Sequence, residues 1–179
     1  MGYWLFKSEP DCFAFADLEA APGRTTGWDG VRNYQARNFL RDQVRLGDGV
    51  LYYHSSADPP AVAGIAEVVE EAHADPTAFD PKADHHDPKS NPANPTWYQV
   101  SIRAVRPIDP PLGLPMLRTV PSLTGMGLLR KGSRLSIQPV SADEWAAVLE
   151  LAGLKTSDLR FGEVAPAAKA KRKPKSKDL

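Results

Sequence analysis

Short apolar segments separated by turn residues are the feature that most restricts how this chain can fold. β-Branched and aromatic residues, which favour strands, concentrate in the segments Tyr3–Lys7, Val50–His54, Val62–Val69, Trp97–Val105 and Leu135–Val140. Proline stands at 17 positions, and no repeated strand–helix–strand unit is visible, which argues against a parallel α/β sheet. The sequence therefore predicts an α+β fold, a small mixed or antiparallel β-barrel with short α-helices packed outside it.

Three helices are predicted, over residues 13–21, 33–44 and 141–151. Asn33 can cap the second, because its side-chain oxygen accepts an otherwise unpaired backbone N–H. Ser141 and Glu144 form a capping box for the third, in which each side chain accepts the backbone N–H of the other residue. Residues 24–32 are predicted to be a loop.

Two strands carry further information about packing. Gly64 interrupts the strand 62–69, and the missing side chain predicts a β-bulge or the close approach of another group. The strand 97–105 alternates in hydrophobicity. The residues predicted to face the core are Tyr98, Val100, Ile102 and Ala104.

The formal charge of the chain is zero, but it is unevenly distributed. Residues 163–179 contain six basic and two acidic residues, which leaves 16 basic and 20 acidic residues in 1–162. We expect a domain over residues 1–155 and a flexible basic tail over 156–179, because the tail has too few apolar residues to order itself. Basic arms hold phosphate backbones without reading the base sequence, and a solubilising terminus is the alternative. The candidate phosphate contacts are Lys169, Lys171, Arg172, Lys173 and Lys175.

Composition also limits where the protein can act. No apolar run approaches the roughly 20 residues that span a bilayer, so no membrane association is predicted. The N-terminus lacks the basic start, the long apolar stretch and the cleavage site of a secretory signal, and a cytoplasmic location is expected. Cys12 is the single cysteine, which excludes an internal disulfide and a Cys-rich zinc site and favours a half-buried structural thiol.

Residues 84–87, Asp-His-His-Asp, are the one segment that resembles a metal site. Imidazole and carboxylate groups ligate zinc and iron, but neighbouring residues of an extended loop point in different directions, and no second cluster completes a coordination shell. We therefore predict no metal and no cofactor. No serine or histidine has a recognisable nucleophile context and no glycine-rich phosphate loop is present, so no catalytic residue is assigned.

Aromatic and polar residues gather at the predicted strand ends, in the segments 7–8, 28–34 and 53–55 and at Trp97. The strand ends of a barrel converge at its mouth, where a flat ligand can enter. Aromatic side chains there can stack on a nucleobase, each contributing about 1–3 kcal/mol. The alternative is that Trp28, Tyr53 and Trp97 simply pack in the core.

A series of segments, in order along the chain, closely resembles the EVE domain family. The resemblance runs from Tyr3 to about Leu151 and leaves the tail outside. The chain departs from the family at His85-His86, where aromatic residues are common. The segments are Tyr3–Pro10, Trp28–Leu40, Tyr53–Ser55, Gly64–Val68, Asp80-Pro81, Asp87–Ser90 and Leu128–Gly132.

This resemblance implies a PUA-like fold, related to the YTH domain that reads methylated adenine in RNA. It also implies a non-catalytic protein whose partner is DNA or RNA carrying modified bases, such as methylated ones, with the base flipped into an aromatic-lined pocket. Arg32 or Arg130 would hold a neighbouring phosphate. The implied pocket residues are Lys7, Ser8, Trp28, Val31, Arg32, Asn33, Tyr34, Tyr53, His54 and Ser55, with Leu129 and Arg130 as further members.

Two other functions are compatible with the same residues. A nucleotide or base hydrolase would use the pocket with His54 as general acid and base, although no partner nucleophile is visible. The mildly acidic domain also fits a small-molecule or protein-interaction module.

Overall fold

The computed structural model describes residues 1–163, which form a six-stranded mixed sheet with short helices. The strands are β1 (Tyr3–Ser8), β2 (Thr25–Gly27), β3 (Gly49–His54), β4 (Ala61–Ala74), β5 (Tyr98–Gly113) and β6 (Ile137–Val140). The α-helices are α1 (Phe15–Ala20), α2 (Tyr34–Asp42), α3 (Leu114–Leu117) and α4 (Ala142–Leu151). Single 3₁₀ turns cover Pro22–Arg24, Pro76–Ala78, Pro121–Leu123, Gly127–Leu129 and Thr156–Asp158. Within 1–163, no helix combines the length and apolar character needed to cross a membrane.

The strand order is β2-β5-β4-β3-β1-β6, with β2 and β6 at the two edges. β1 and β3 are parallel, and the other neighbouring strands are antiparallel. The sheet curls without closing. The ring of Trp28, directly after edge strand β2, lies 5.3 Å from that of Phe6 in β1, which is the neighbour of edge strand β6. The predicted α+β class with a mixed, barrel-like sheet is confirmed, and a gap remains between the edges.

The two faces of the sheet carry separate hydrophobic cores. Successive residues of a strand point to opposite faces, so Phe6 of β1 joins the inner core, which the curled sheet encloses, and Leu5 joins the outer core. In β3, Tyr52 belongs to the inner core and Tyr53 to the outer core. Helices α1 and α2 contribute apolar side chains to the inner core, and α3 and α4 contribute to the outer core.

Both predicted helix caps are confirmed. Asn33 Oδ1 accepts the Ala36 N–H at 3.0 Å at the start of α2. Ser141 Oγ accepts the Glu144 N–H at 3.1 Å, and Glu144 Oε2 accepts the Ser141 N–H at 2.9 Å, at the start of α4. These bonds join residues three positions apart, so they are encoded locally.

The expectation for Gly64 is also confirmed. The pairing of β4 with both neighbouring strands shifts register next to this residue. A Cβ atom at Gly64 would lie 2.5 Å from the ring of Phe15, so a larger residue would push α1 away from the sheet.

Some predicted boundaries differ from the structure. Thr25–Gly27, inside the predicted loop 24–32, forms β2 by pairing with β5, and its three residues are too few to show apolar periodicity. β4 and β5 run past Val69 and Val105 to Ala74 and Gly113. Their pairing contains several register shifts, and such bulges let strands continue through polar residues and prolines.

The chain after α4 packs onto the outer face of the sheet. Trp145 Nε1 donates to Thr156 Oγ1 at 3.1 Å, Leu159 is buried, and the Gly162 N–H donates to Glu67 Oε2 at 2.8 Å. Residues 156–163, here called the C-terminal segment, therefore belong to the packed structure. The rest of the predicted tail, 164–179 with its five candidate phosphate contacts, lies outside the described residues.

Candidate functional site

An open cleft of ≈ 820 Å³ lies in the gap between the two edges of the sheet. One wall comes from β1 and the residue before β6, the other from β2 and the loop that follows it, and the loops after β1 and β4 complete the rim. The lining residues are Lys7, Ser8, Glu9, Cys12, Phe13, Thr26–Asn33, His85 and Ser136. Cys12 is exposed at this rim, so the predicted half-buried thiol is corrected.

The structure brings half of the sequence-predicted pocket residues together in this cleft: Lys7, Ser8, Trp28, Val31, Arg32 and Asn33. It places the others elsewhere, namely Tyr34, Tyr53, His54, Ser55, Leu129 and Arg130. Residues 28–33, here called the cleft loop, supply most of one wall.

Trp28 is both a core residue and a wall of the cleft. Its side chain is only 8% exposed, and its ring lies 5.3 Å from those of Phe6 and Tyr52. Its backbone N–H donates to the Val100 carbonyl at 2.7 Å. The two interpretations that the sequence left open, core packing and pocket wall, therefore hold together for this residue.

The indole N–H of Trp28 distinguishes it from the other tryptophans. Among residues 1–163 no group accepts it, and its nitrogen is accessible to solvent, although the rest of the side chain is buried. The others donate to an oxygen: Trp4 to Asp48, Trp97 to Asp87 and Trp145 to Thr156, at 2.9, 2.7 and 3.1 Å. An aromatic wall with a free donor thus borders the cleft.

Asp75 holds the cleft loop in place through hydrogen bonds from its buried carboxylate. Its side chain is 0% exposed and accepts the Gly30 N–H at 2.9 Å, Arg32 Nη1 at 2.8 Å, and the Thr77 N–H and hydroxyl at 2.8 and 2.6 Å. Burial alone would raise the pKa of Asp75, but these hydrogen bonds hold it below its usual value. Gly30 has φ +75°, and a Cβ there would lie 2.9 Å from the His85 ring, so the position requires glycine.

Arg32 uses its donors inside the protein. Nε and Nη2 donate to the His85 carbonyl at 2.9 and 2.6 Å, Nη1 donates to the Val31 carbonyl and to Asp75, and Nη2 also donates to Thr77 Oγ1 at 3.1 Å. A guanidinium has five N–H groups, and each has an acceptor here. Arg32 therefore joins the cleft loop to the loop that carries His85, and it has no free N–H for a phosphate.

Asp29 lies in the same loop, between Trp28 and Gly30. It is an exposed residue of the cleft lining, and no donor within residues 1–163 forms a hydrogen bond or ion pair with its carboxylate. Partial burial raises the pKa of Asp29, the nearby Asp75 raises it further, and His85 and Arg32 lower it.

Lys7 and Ser8 face the cleft from the other wall. Lys7 Nζ donates to the Ser133 carbonyl at 3.3 Å, and partial burial lowers the pKa of this amine. Ser8 Oγ donates to the Phe13 carbonyl at 2.7 Å, which it shares with the Tyr52 hydroxyl, also at 2.7 Å. Lysine thus presents a half-buried ammonium group to the cleft.

The segment 53–55 lies behind this wall. Tyr53 points into the outer core. His54 Nε2 accepts the Phe15 N–H at 3.0 Å, so its ring is neutral, and burial lowers its pKa, opposed by Asp17. Ser55 donates its backbone N–H to the Ser8 carbonyl at 2.9 Å. These residues support the cleft wall rather than line it.

Tyr34 stands outside the cleft, at the start of α2. It is 63% exposed, its ring lies 5.0 Å from that of Trp97, and the Arg37 guanidinium lies 5.1 Å from its centroid. An exposed aromatic–cation stack therefore adjoins the cleft loop.

Leu129 and Arg130 lie near a second cavity. Leu129 packs against the outer core, and exposed Arg130 lines a cavity of ≈ 510 Å³ together with Ser133 and Gln138. Lys7 contacts the Ser133 carbonyl, so the segment from Ser133 to Ser136 separates this cavity from the cleft.

No group of three or more His, Cys, Asp or Glu side chains within 1–163 is arranged to hold a metal ion. In the segment 84–87, the His85 carbonyl accepts from Arg32 and Asp87 Oδ2 accepts the Trp97 N–H at 2.7 Å. The residues of this segment therefore connect loops around the cleft.

Sequence reasoning missed Asp29, Asp75 and His85 as site residues. A local signal existed for Asp75, because an Asp-Pro-Thr sequence is typical of a capped turn, and Asp75 Oδ1 does accept the Thr77 N–H. Its contact with Gly30 spans 45 positions and leaves no trace in the local pattern.

An open, mixed, barrel-like sheet with a cleft between its edges defines a domain of the PUA-like class. The chain belongs to the EVE domain family, whose model matches residues 2–151. The family resemblance found in the sequence segments is thereby confirmed.

The relatives agree with this assignment. Human thymocyte nuclear protein 1 is 40% identical over 166 residues, which cover 83% of this chain and 73% of the relative. A solved structure from Pseudomonas syringae is 46% identical with a TM-score of 0.79, covering 84% of this chain and 99% of that chain. The human THYN1 protein, solved in complex with DNA containing 5-methylcytosine, is 39% identical with a TM-score of 0.80, covering 87% and 99%. The human relative carries "nuclear" in its name, and the cytoplasmic location of this chain stays a prediction.

Proposed function

We propose that this protein reads modified bases in nucleic acid and holds one flipped base in the cleft without altering it chemically. The observation that carries the proposal is the Trp28 wall, whose ring is held by Phe6 and Tyr52 while its N–H has no acceptor among residues 1–163. The human family member solved with DNA containing 5-methylcytosine supports DNA as the partner.

Contacts with the walls of the cleft would offset the free-energy cost of flipping the base. Flipping a base out of a duplex costs a few kcal/mol, and stacking on an aromatic side chain offsets about 1–3 kcal/mol of it. A buried methyl group adds about 0.8 kcal/mol, so a methylated base gains a modest advantage. The ammonium of Lys7 and the N–H of Trp28 can donate to acceptors of the base.

The nucleic-acid backbone needs contacts outside the cleft. Exposed Arg130 is one candidate, and the tail residues Lys169, Lys171, Arg172, Lys173 and Lys175 are others by their charge. Tyr34 can stack on a neighbouring base. Basic side chains that bind phosphates release counterions, which favours binding. Residues 1–162 have a net negative charge, so the basic tail supplies more of the attraction to phosphates than they do.

A hydrolase that uses His54 receives no support from the geometry. His54 lies behind the wall, and its Nε2 accepts the Phe15 N–H. A general acid and base must reach the reacting atoms with a titrating nitrogen, and the nitrogen facing Phe15 is already engaged.

The direct test is capture from a mixed panel of DNA and RNA oligonucleotides, single- and double-stranded, each carrying one modified base. We expect the wild-type protein to retain a subset of modified strands above unmodified controls, with the retained bases identified by mass spectrometry. Equal retention of modified and plain strands would overturn the proposal. Conversion of a base during the assay would support the hydrolase instead.

Deletion of residues 164–179 tests the backbone contacts separately. We expect affinity for all strands to fall and the slope of log affinity against log salt concentration to flatten, because fewer counterions are released. A slope equal to that of the full chain would show that the tail does not contact phosphates.

A further inference from the structure

Asp29 is the carboxylate of the cleft lining with which no donor in residues 1–163 pairs. It lines the cavity beside Trp28, and the groups that act on it are near but not bonded: Asp75, His85 and Arg32. Glu9, the other carboxylate of the lining, approaches Cys12 Sγ at 3.8 Å and Ser56 Oγ at 3.5 Å. Of these two lining carboxylates, Asp29 is the one that accepts no hydrogen bond within residues 1–163.

The contrast with Asp75 shows that this arrangement is selective. Asp75 lies under the same loop and is bonded to Gly30, Arg32 and Thr77. All N–H groups of Arg32 are engaged, so this cation cannot turn to Asp29. Asp29 is exposed at the cleft wall, so water solvates its carboxylate until a ligand displaces that water. A ligand that donates to the carboxylate replaces the lost hydrogen bond, whereas a ligand that offers only acceptors there leaves the charge unpaired.

A carboxylate can only accept hydrogen bonds. Cytosine and adenine present an exocyclic amine as a donor, whereas thymine and uracil present a carbonyl oxygen at the corresponding place, which a carboxylate repels. Trp28 lines the same wall, and its indole N–H, which no group within residues 1–163 accepts, can donate to a ring acceptor of the same base.

We propose that Asp29 is a specificity-determining residue that selects bases with an exocyclic amine, cytosine or adenine derivatives, against thymine and uracil. The role rests on the proposed function, because it concerns the base held in the same cleft. A hydrogen bond from a neutral donor to a charged acceptor separates the two classes by about ten- to a hundredfold in affinity.

The matched probes are 5-methylcytosine and thymine, which share the ring and the methyl group and differ at the amine and the adjoining ring nitrogen. Each is placed opposite the same abasic site in an otherwise identical DNA duplex, so that no pairing energy differs. We expect the wild-type protein to prefer 5-methylcytosine by about ten- to a hundredfold, Asp29→Ala to lose the preference, and Asp29→Asn, which can donate to the thymine carbonyl, to reduce it. Thermal unfolding of each variant checks that the fold is kept.

The outcomes separate the two proposals. Equal binding of both probes by the wild-type protein overturns the role of Asp29 and leaves base reading intact. An undiminished preference in Asp29→Ala also overturns the role. Binding of neither these probes nor any strand of the modified panel overturns base reading itself, and the role of Asp29 falls with it.

A pH series adds a readout that a purely structural role would not change. Protonation turns the carboxyl group into a donor, so the preference should be full at neutral pH and decline as the pH falls through the pKa of Asp29. Burial and Asp75 raise that pKa, while His85 and Arg32 lower it. Asp29→Ala should show no such decline, and the same decline in that variant would contradict the assignment.

Discussion

The cleft loop and the C-terminal segment are fastened to the sheet in the same way. Under the cleft loop, Asp75 accepts the Gly30 N–H at 2.9 Å and pairs with Arg32 at 2.8 Å. Under the C-terminal segment, buried Glu67 accepts the Gly162 N–H at 2.8 Å and pairs with Arg103 Nε at 2.9 Å. In both places a buried carboxylate joins a glycine backbone to an arginine.

The two regions differ in whether their polar groups have hydrogen-bond partners. At the C-terminal segment, Trp145 is 1% exposed, stacks on Tyr3 at 4.4 Å and donates its N–H to Thr156. At the cleft loop, the Trp28 N–H and the Asp29 carboxylate have no partner within the described residues. A closed core satisfies its polar groups, whereas a binding site leaves some of them for a ligand.

The largest effect is expected for Trp145→Ala. Truncating this fully buried ring should lower the free energy of unfolding by about 3–5 kcal/mol, because it leaves a cavity in the outer core. Urea unfolding followed by circular dichroism measures it. Base binding by the fraction that remains folded should be unchanged, and Trp145→Phe should lose less stability. If Trp145→Ala lost base binding while remaining folded, the outer core would contribute to binding, contrary to the comparison of the two regions.

The paired substitutions Asp75→Ala and Glu67→Ala come next. Each removes the acceptor of a glycine N–H and of an arginine, which should lower the free energy of unfolding by about 1–3 kcal/mol. Only Asp75→Ala should also weaken binding of modified oligonucleotides, because it releases the cleft loop. The two variants serve as controls for each other in parallel unfolding and binding titrations. Equal binding losses would mean that both fasteners act only through global stability.

Trp28→Phe sharpens the comparison within the cleft. We expect binding of the modified base to weaken by about 1 kcal/mol, because the smaller ring stacks less and has no N–H. Alanine is a poorer choice here, since Trp28 packs against Phe6 and Tyr52 and its truncation would also disturb the inner core. Isothermal titration gives the affinity, and Trp145→Phe is the matched control in the other core. Comparable affinity in Trp28→Phe and the wild-type protein would remove Trp28 from the site.

The smallest effect concerns the pH dependence of stability through His54. Burial lowers the pKa of this imidazole from its ordinary value of 6.5, so the unfolded chain takes up a proton that the folded chain resists. Its contribution to stability is therefore present above the ordinary pKa and declines as the pH falls below it. Urea midpoints compared at about pH 7.5 and about pH 5.5 should differ more for the wild-type protein than for His54→Gln. Identical pH dependence would show that His54 does not titrate in this range.

The features that could be predicted from sequence are those encoded within a few residues. Asn33 and Ser141 begin helices because their side chains bond backbone groups three positions away. Alternation places Val100, Ile102 and Ala104 in the inner core. The EVE resemblance depended on ordered segments, and the family match over residues 2–151 agrees with it.

The prediction of the pocket was less complete because it assumed that all residues of a sequence motif line the same surface. Tyr52 and Tyr53 are neighbours, so period-two alternation requires them to face opposite sides. Nothing local states which side the cleft adjoins, and only the curled sheet brings Tyr52 to the Trp28 ring while Tyr53 enters the outer core. Tyr34, the first residue after the helix cap, likewise lies outside the cleft, where its exposed ring stacks on Trp97.

By itself the sequence determined five of the six strands and the helix caps, since these follow from local periodicity and short-range hydrogen bonds. Its ordered segments also determined the family. The tertiary structure alone decided where the cleft lies and which of its polar groups have no partner within residues 1–163. The gap exists because the sheet curls without its two edges pairing. The difference between Asp75 and Asp29 arises because Gly30 and Arg32 bond to the first across more than 40 positions of the chain, and such contacts form only when the sheet has curled.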